Sequence, residues 1–180
     1  MRKAQTHMTA ERVAEFSNFC QEEFPRLVGA LRLHTRDFDL AEEIAQESLA
    51  RAWRDWTKLR RLDSPRAWTY RVAFNVANSQ FRRRAAERRA RDRVQQITPL
   101  SRDSDRDLTD VAVLRSALAR VPTRPRTALV LRYFLDLSIQ ETAQAMSCPE
   151  GTVKSLSRRG LALLKRDAEL TGLKEVSNSV

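Results

Sequence analysis

Between Leu137 and Lys165 the chain reads LSIQETAQAMSCPEGTVKSLSRRGLALLK, and the residue types there suit recognition of a polyanion. Ser138 and Glu141 have the Ser-x-x-Glu spacing of a capping box. In that motif the serine oxygen accepts from an orphan amide of the first turn and the glutamate reaches back to the cap. Ile139, Ala143 and Met146 follow at helical spacing, and Ser147-Cys148-Pro149 stops the helix. Pro149 presets φ for a first helical position, so a second helix restarts at once. On it Val153, Leu156, Gly160 and Leu164 share one face, which leaves Thr152, Lys154, Ser155 and Arg158 towards the other, with Arg159 beside them. Two short helices, a tight turn and a basic outer face make a helix-turn-helix, whose second helix enters a major groove. The alternative is an ordinary helical hairpin with solvated charges, since charged outer faces are the norm on surface helices.

A second stretch has the opposite sign. Between Asp37 and Ala50 stand five acids and no base, in a chain whose formal charge is +10. Asp39, Glu43 and Glu47 align at i, i+4 and i+8 with Glu42 alongside. Ala41, Ile44, Ala45, Leu49, Ala52, Trp53 and Trp56 form the inner face of the same helix, Asp39 to Trp56, so both tryptophans read as core. Like charges one turn apart destabilise a helix by about 0.2–0.5 kcal/mol per pair. The macrodipole accounts for acids near the helix start but not for Glu47. A basic partner surface accounts for the whole stripe.

A third set follows. Thr57 to Pro65 reads as a basic loop carrying Lys58, Arg60, Arg61 and Asp63. Pro65 presets a helix that Ser64 or Asp63 can cap. Trp68, Val72, Phe74, Val76, Ala77 and Phe81 form its apolar side, leaving Arg66, Arg71, Asn75, Asn78, Ser79, Arg82 and Arg83 on the polar one. Arginines can bind phosphates there and asparagines can reach base edges, the alternative being a solvated face. From Arg82 to Arg93 seven arginines face two acids, an electrostatic footprint that makes binding steeply salt-dependent.

The elements that must position these residues are all helical in expectation. Only four glycines occur in 180 residues, and Ala, Leu, Arg and Glu are abundant. Residues 1–8 read as a frayed arm. Thr9 caps a helix through Val13, Phe16, Phe19, Cys20 and Phe24, which Pro25 kinks or restarts towards Leu27, Val28, Leu31 and Leu33. His7 and His34 have no neighbouring ligand types and read as structural or solvated. Val94 to Thr109 is polar and aperiodic, a linker. Beyond it come a helix from Asp110 to Val121, a second over TRPRTALVLRYFLDL, and a disordered tail past Gly172. Cys20 and Cys148 lie in no metal-ligand spacing. No run of 18 apolar residues occurs, so the expectation is a cytoplasmic chain without membrane insertion.

Gly151-Thr152-Val153-Lys154-Ser155 followed by Arg159 resembles the recognition helix of bacterial sigma factors, specifically the extracytoplasmic-function (ECF) group. Glu141-Thr142-Ala143 resembles that family's Glu-Ile-Ala, with Ser147 where the turn usually has glycine and Leu156 where a polar or basic residue is usual. Ala41 to Glu47, running on to Arg51-Ala52-Trp53-Arg54, resembles the family's Ala-Glu-Asp-Leu-Val-Gln-Glu segment. The Arg-Ala-Trp…Asn…Arg-Arg-Arg pattern from Arg66 resembles the segment that melts the promoter and reads its −10 element. TRPRTALVLRYFLDL resembles the Leu-Pro…Arg…Leu-Arg-Tyr support of the C-terminal domain.

The resemblance implies an all-α protein of two small domains, 1–95 and 110–180, joined by a flexible linker over 96–109. It implies a core RNA polymerase contact through Asp39, Glu42, Glu43, Gln46, Glu47 and Arg51. It implies −10 contacts from Lys58, Arg60, Arg61, Asp63, Arg66, Trp68, Arg71, Asn75, Asn78, Arg82 and Arg83. It implies −35 contacts from Thr152, Lys154, Ser155, Ser157, Arg158 and Arg159. Promoter DNA, core polymerase and an anti-sigma factor are the implied partners, with no cofactor. No Walker loop, His-Glu-x-x-His or dinucleotide fingerprint is present, so no catalytic reading competes. The rival is a self-sufficient helix-turn-helix repressor or activator, which needs a dimer seam that no spare apolar helix supplies. A helical adaptor on an anionic membrane fits the charge but leaves the helix-turn-helix unexplained.

Overall fold

The computed structural model describes residues 2–35, 37–92 and 110–170, and among them there is no strand. The N-terminal part has three helices, α1 (Arg2–Thr35), α2 (Phe38–Leu59) and α3 (Pro65–Asp92). The C-terminal part has α4 (Asp110–Arg120), α5 (Thr123–Leu129), a π-helical turn (Val130–Phe134), α6 (Ile139–Met146) and α7 (Glu150–Leu170). The expected linker over 96–109 and the expected tail beyond Gly172 lie outside the described residues.

Three boundaries differ from expectation. Residues 2–8 belong to α1, which continues past Pro25 instead of restarting there. Asp37 caps α2, its side chain accepting from the Leu40 amide at 3.0 Å, so one of the five acids serves the helix itself. At its other end α2 extends to Leu59, which places Lys58 on a helix and leaves a loop of only residues 60–64. Ser64, rather than Asp63, caps α3: its Oγ accepts from the Ala67 amide at 3.3 Å.

The expected helix over TRPRTALVLRYFLDL divides at Val130, where Leu135 N–H bonds the Val130 carbonyl five residues back at 3.0 Å. The capping box of α6 is formed as expected, with Glu141 N–H on Ser138 Oγ at 3.0 Å and Ser138 N–H on Glu141 Oε2 at 2.8 Å. α6 ends in a Schellman pattern. Ser147 sits in the left-handed region at φ 50° and ψ 50°, and Cys148 N–H bonds the Ala143 carbonyl at 3.0 Å.

α1, α2 and α3 bury Leu27, Leu31, Ile44, Tyr70 and Phe74 between them, and Leu131, Leu135 and Leu137 of the C-terminal part join the same apolar cluster. The two helical domains are therefore packed on each other, a contact with no sign in the sequence. Within the N-terminal domain Tyr70 OH donates to Glu23, itself buried, so the carboxylate sits paired beneath α3. A satellite cluster of Ala52, Trp56 and Leu59 is closed by Phe16, Phe19, Trp53 and Trp68. Trp56 is buried and Trp53 half-buried there, both core residues as expected.

Candidate functional site

The inner face of α2 is Ala41, Ile44, Ala45, Leu49, Ala52 and Trp56, and burying it turns the acids outward. Asp39, Glu43, Gln46 and Glu47 are exposed, with Glu42 and Arg51 half-buried. Gln46 donates to Glu42 at 3.4 Å, and Arg51 pairs with Glu47 one turn on. Such an exposed i, i+4 pair contributes only about 0.3–0.5 kcal/mol, so the stripe keeps most of its mutual repulsion.

Around the start of α3, residues Leu62, Asp63, Ser64, Ala67, Trp68 and Arg71 line one cleft of about 260 Å³. The loop and the helix are thus brought together as candidates. Lys58, Arg60, Arg61, Asp63, Arg71, Asn75 and Arg83 are exposed, and Trp68 is half-buried against the aromatic satellite cluster. Arg60 is steadied by Glu15 of α1 at 3.1 Å. The side chain of Arg82 lies outside the described residues.

Two of this set point elsewhere. Asn78 accepts through its Oδ1 from His34 Nε2 at 3.1 Å, so its amide is occupied inside the domain instead of facing a base. Arg66 donates to the Leu135 carbonyl at 3.0 Å and lies 3.8 Å from Glu141, across the domain junction.

His34 is structural, as one of the two expectations for it had it. Its ring is fully buried, edge-on to Phe74 and Phe81 at 5.1 and 5.3 Å. Burial and, secondarily, the Arg126 guanidinium push its pKa down to about 4, against the opposing effect of the Asn78 bond. The ring is therefore neutral near pH 7, with Nδ1 buried and without a partner.

On α7, Lys154, Ser155, Arg158 and Arg159 are exposed and Thr152 is half-buried. Lys154 and Arg158 are one turn apart and, with Arg132, Tyr133, Ile139 and Leu161, line a cleft of about 310 Å³. Ser155 Oγ donates to the Thr152 carbonyl at 2.9 Å. Ser157 is buried on the face shared with Val153 and Gly160, where it lines the floor of the same cleft as Lys154 and Arg158. Helical spacing accounts for this, since residue 157 lies four after Val153 and three before Gly160. Leu156 is half-buried, in keeping with its apolar character.

Sequence reasoning missed Ser64, Arg126 and Glu141 as junction residues. Ser64 Oγ donates to Glu141 Oε1 at 2.9 Å, and Arg126 donates to the His34 carbonyl at 3.0 Å. Burial alone raises the Glu141 pKa, but bonds from Ser138 and Ser64 and the charge of Arg66 outweigh it and hold the carboxyl below its ordinary range. Among the described residues no group of three or more His, Cys, Asp or Glu could hold a metal, and no helix is long and apolar enough to cross a membrane.

Comparison with known proteins places this geometry. Residues 20–87 match the family model for sigma-70 region 2, and residues 112–164 match that for sigma-70 region 4. An RNA polymerase sigma-E factor of Streptomyces antibioticus is 30% identical over 135 residues, 74% of this chain and 73% of that one. The ECF RNA polymerase sigma factor SigM of Mycobacterium tuberculosis is 29% identical over 160 residues, covering 89% of this chain and 80% of the relative. Among solved structures, the sigma factor RpoE in complex with the anti-sigma factor NepR from Bartonella quintana aligns with a TM-score of 0.68 at 25% identity. That alignment covers 89% of this chain and 99% of that one. CnrH in complex with the cytosolic domain of CnrY shares the fold at a TM-score of 0.62 and 20% identity, covering 89% of both chains. With both regions matched in order and relatives covering most of its length, this chain belongs to the ECF sigma factors of bacterial RNA polymerase.

Proposed function

We propose that the chain is a promoter-specificity subunit that binds core RNA polymerase and directs it to −10 and −35 elements, using domains 1–95 and 110–180 on either side of a linker over 96–109. The acidic face of α2, with Glu43 and Glu47 at its centre, docks on a basic surface of the core. The cleft between Leu62 and Arg71 holds melted −10 DNA, with Trp68 as an apolar wall and Lys58, Arg60 and Arg61 on phosphates. Unstacking a base costs a few kcal/mol, which contacts in this cleft must offset. α7 enters the −35 major groove, Lys154 and Arg159 fixing register on phosphates while Arg158 reaches base edges. The chemistry of RNA synthesis stays with the polymerase, so this subunit is not an enzyme and needs no cofactor of its own. It works in the cytoplasm, and an anti-sigma factor of the class bound to the solved relatives fits as its regulator.

The observation that carries this reading is an exposed acidic face and a capped helix-turn-helix with a basic outer face on one chain. A stand-alone regulator has no use for the first. Retention of core polymerase by the full chain tests it, wild type against Glu43→Arg plus Glu47→Arg. Salt-resistant retention by the wild type, lost in the double variant, is expected. No retention, combined with tight duplex binding by the chain alone, would overturn it in favour of a self-sufficient repressor or activator.

A further inference from the structure

We propose that the N-terminal half of α1 is a brace that sets the −10 cleft, with Glu15 as a positioning residue that aims Arg60 and thereby governs which −10 sequences the chain selects. The inference rests on the assignment of the cleft between Leu62 and Arg71 to −10 DNA.

The cleft has two walls, and both lean on α1. One begins at Leu62, whose N–H bonds the Leu59 carbonyl at 3.0 Å, so the loop takes its direction from the last turn of α2. That turn is held by α1. Arg12 Nη1 donates to Thr57 Oγ1 at 3.1 Å, and its guanidinium lies 4.8 Å from the centre of a Trp53 ring. Phe16 stands 5.0 Å from both Trp53 and Trp56, and Phe19 stands 4.9 Å from Trp56. The other wall is Trp68, which packs into the same aromatic cluster. α1 also reaches the loop directly, since Glu15 Oε2 lies 3.1 Å from Arg60 Nη1.

An ion pair this exposed adds little to stability, so its consequence is geometric. An arginine already held on a carboxylate meets a bound strand with less rotamer freedom left to lose. Pairing through Nη1 leaves the rest of the guanidinium fork for a phosphate. Phosphate contacts fix register, and register decides which base faces the cleft. Glu15 also places an acid beside the bound strand, so it lowers affinity while sharpening register. Arg12, Glu15, Phe16 and Phe19 all precede residue 20, where the match to sigma-70 region 2 begins.

Holoenzymes assembled from core polymerase and the full chain test the brace, with a pool of single strands randomised over a short central stretch as probe. Sequencing of captured strands reads selectivity, and capture at several salt concentrations reads phosphate contact. The wild type should enrich particular bases at particular positions. Glu15→Ala should lower that enrichment about threefold or more, as expected of residues in contact, with the salt slope unchanged because Arg60 remains. Arg60→Ala should lower the enrichment as much and the slope by about 0.7, and the double variant should select no worse than Arg60→Ala alone. Glu11→Ala removes the same charge one turn earlier and leaves Arg60 its partner, so it should select as the wild type does. Arg12→Gln loosens the same turn of α2 and should lower selectivity too, which keeps the test decisive if Glu15→Ala fails to fold. Wild-type selectivity in Glu15→Ala, equal losses in the two glutamate variants, or additive losses in the double variant would overturn the brace and leave the −10 reading intact. A wild-type holoenzyme that forms but enriches no sequence would reject the −10 reading of the cleft, and the brace with it.

Discussion

Ser147 carries a conformation that its side chain resists. At φ 50° and ψ 50° it occupies the left-handed position that ends α6, where glycine is usual and an L side chain costs roughly 1–2 kcal/mol. Ser147→Gly should stabilise the chain by about 1 kcal/mol, read as a higher denaturant midpoint with an unchanged slope. An unmoved midpoint would mean that the turn carries no strain. His34 makes the second prediction at this scale. Its pKa is about 4 in the fold against about 6.5 in the unfolded chain, so between those values the unfolded chain binds more protons. Stability should then fall by about 3 kcal/mol as the pH is lowered from 6.5 towards 4, and His34→Gln should flatten that fall in a pH series of unfolding curves. The serine was legible as a departure from glycine at a turn. The surroundings of His34 were not, because Asn78 and Arg126 stand 44 and 92 residues away in sequence.

At the scale of elements, apolar periodicity, capping residues and prolines located most of the helices, because these signals are local. The π-helical turn was not locatable, since VLRYF has the same apolar pattern as the helix it interrupts and an i to i+5 bond leaves no mark in residue type. The burial of Ser157 was not legible for a related reason: a hydroxyl reads as outward-facing until the neighbouring turns fix the face. α7 meets α5 where Gly160 faces Leu129, and a Cβ there would lie 2.8 Å from Leu129 Cγ. Alanine is the better helix former by about 1 kcal/mol. Overpacking a core costs typically 1–3 kcal/mol, and Cγ cannot swing aside as a terminal methyl can. Gly160→Ala should therefore lower the thermal midpoint, and a rise would show that Leu129 yields.

For the whole molecule, the two-domain helical plan was readable from charge blocks, the aperiodic stretch before Asp110 and the order of the motifs. The packing of one domain on the other was not. Ser64 and Glu141 each had a sufficient local explanation as helix caps, and nothing in their types announces a second partner 77 residues away. Charge governs function at this scale too. With +10 overall, binding to promoter duplex should weaken steeply with salt, and Lys154→Ala should lower the slope of log affinity against log salt by about 1, measured by titration at several ionic strengths. A loss of affinity with the slope unchanged would mean that Lys154 touches no phosphate. The exposed acids of α2 make this charge distribution lopsided as well as large. In the field of a duplex such a body feels a torque as well as a pull: its arginine-rich surfaces turn to the phosphates and the face bearing Glu43 and Glu47 is driven outward. A chain held on duplex DNA should therefore carry that face towards solvent, the side from which a basic partner can reach it.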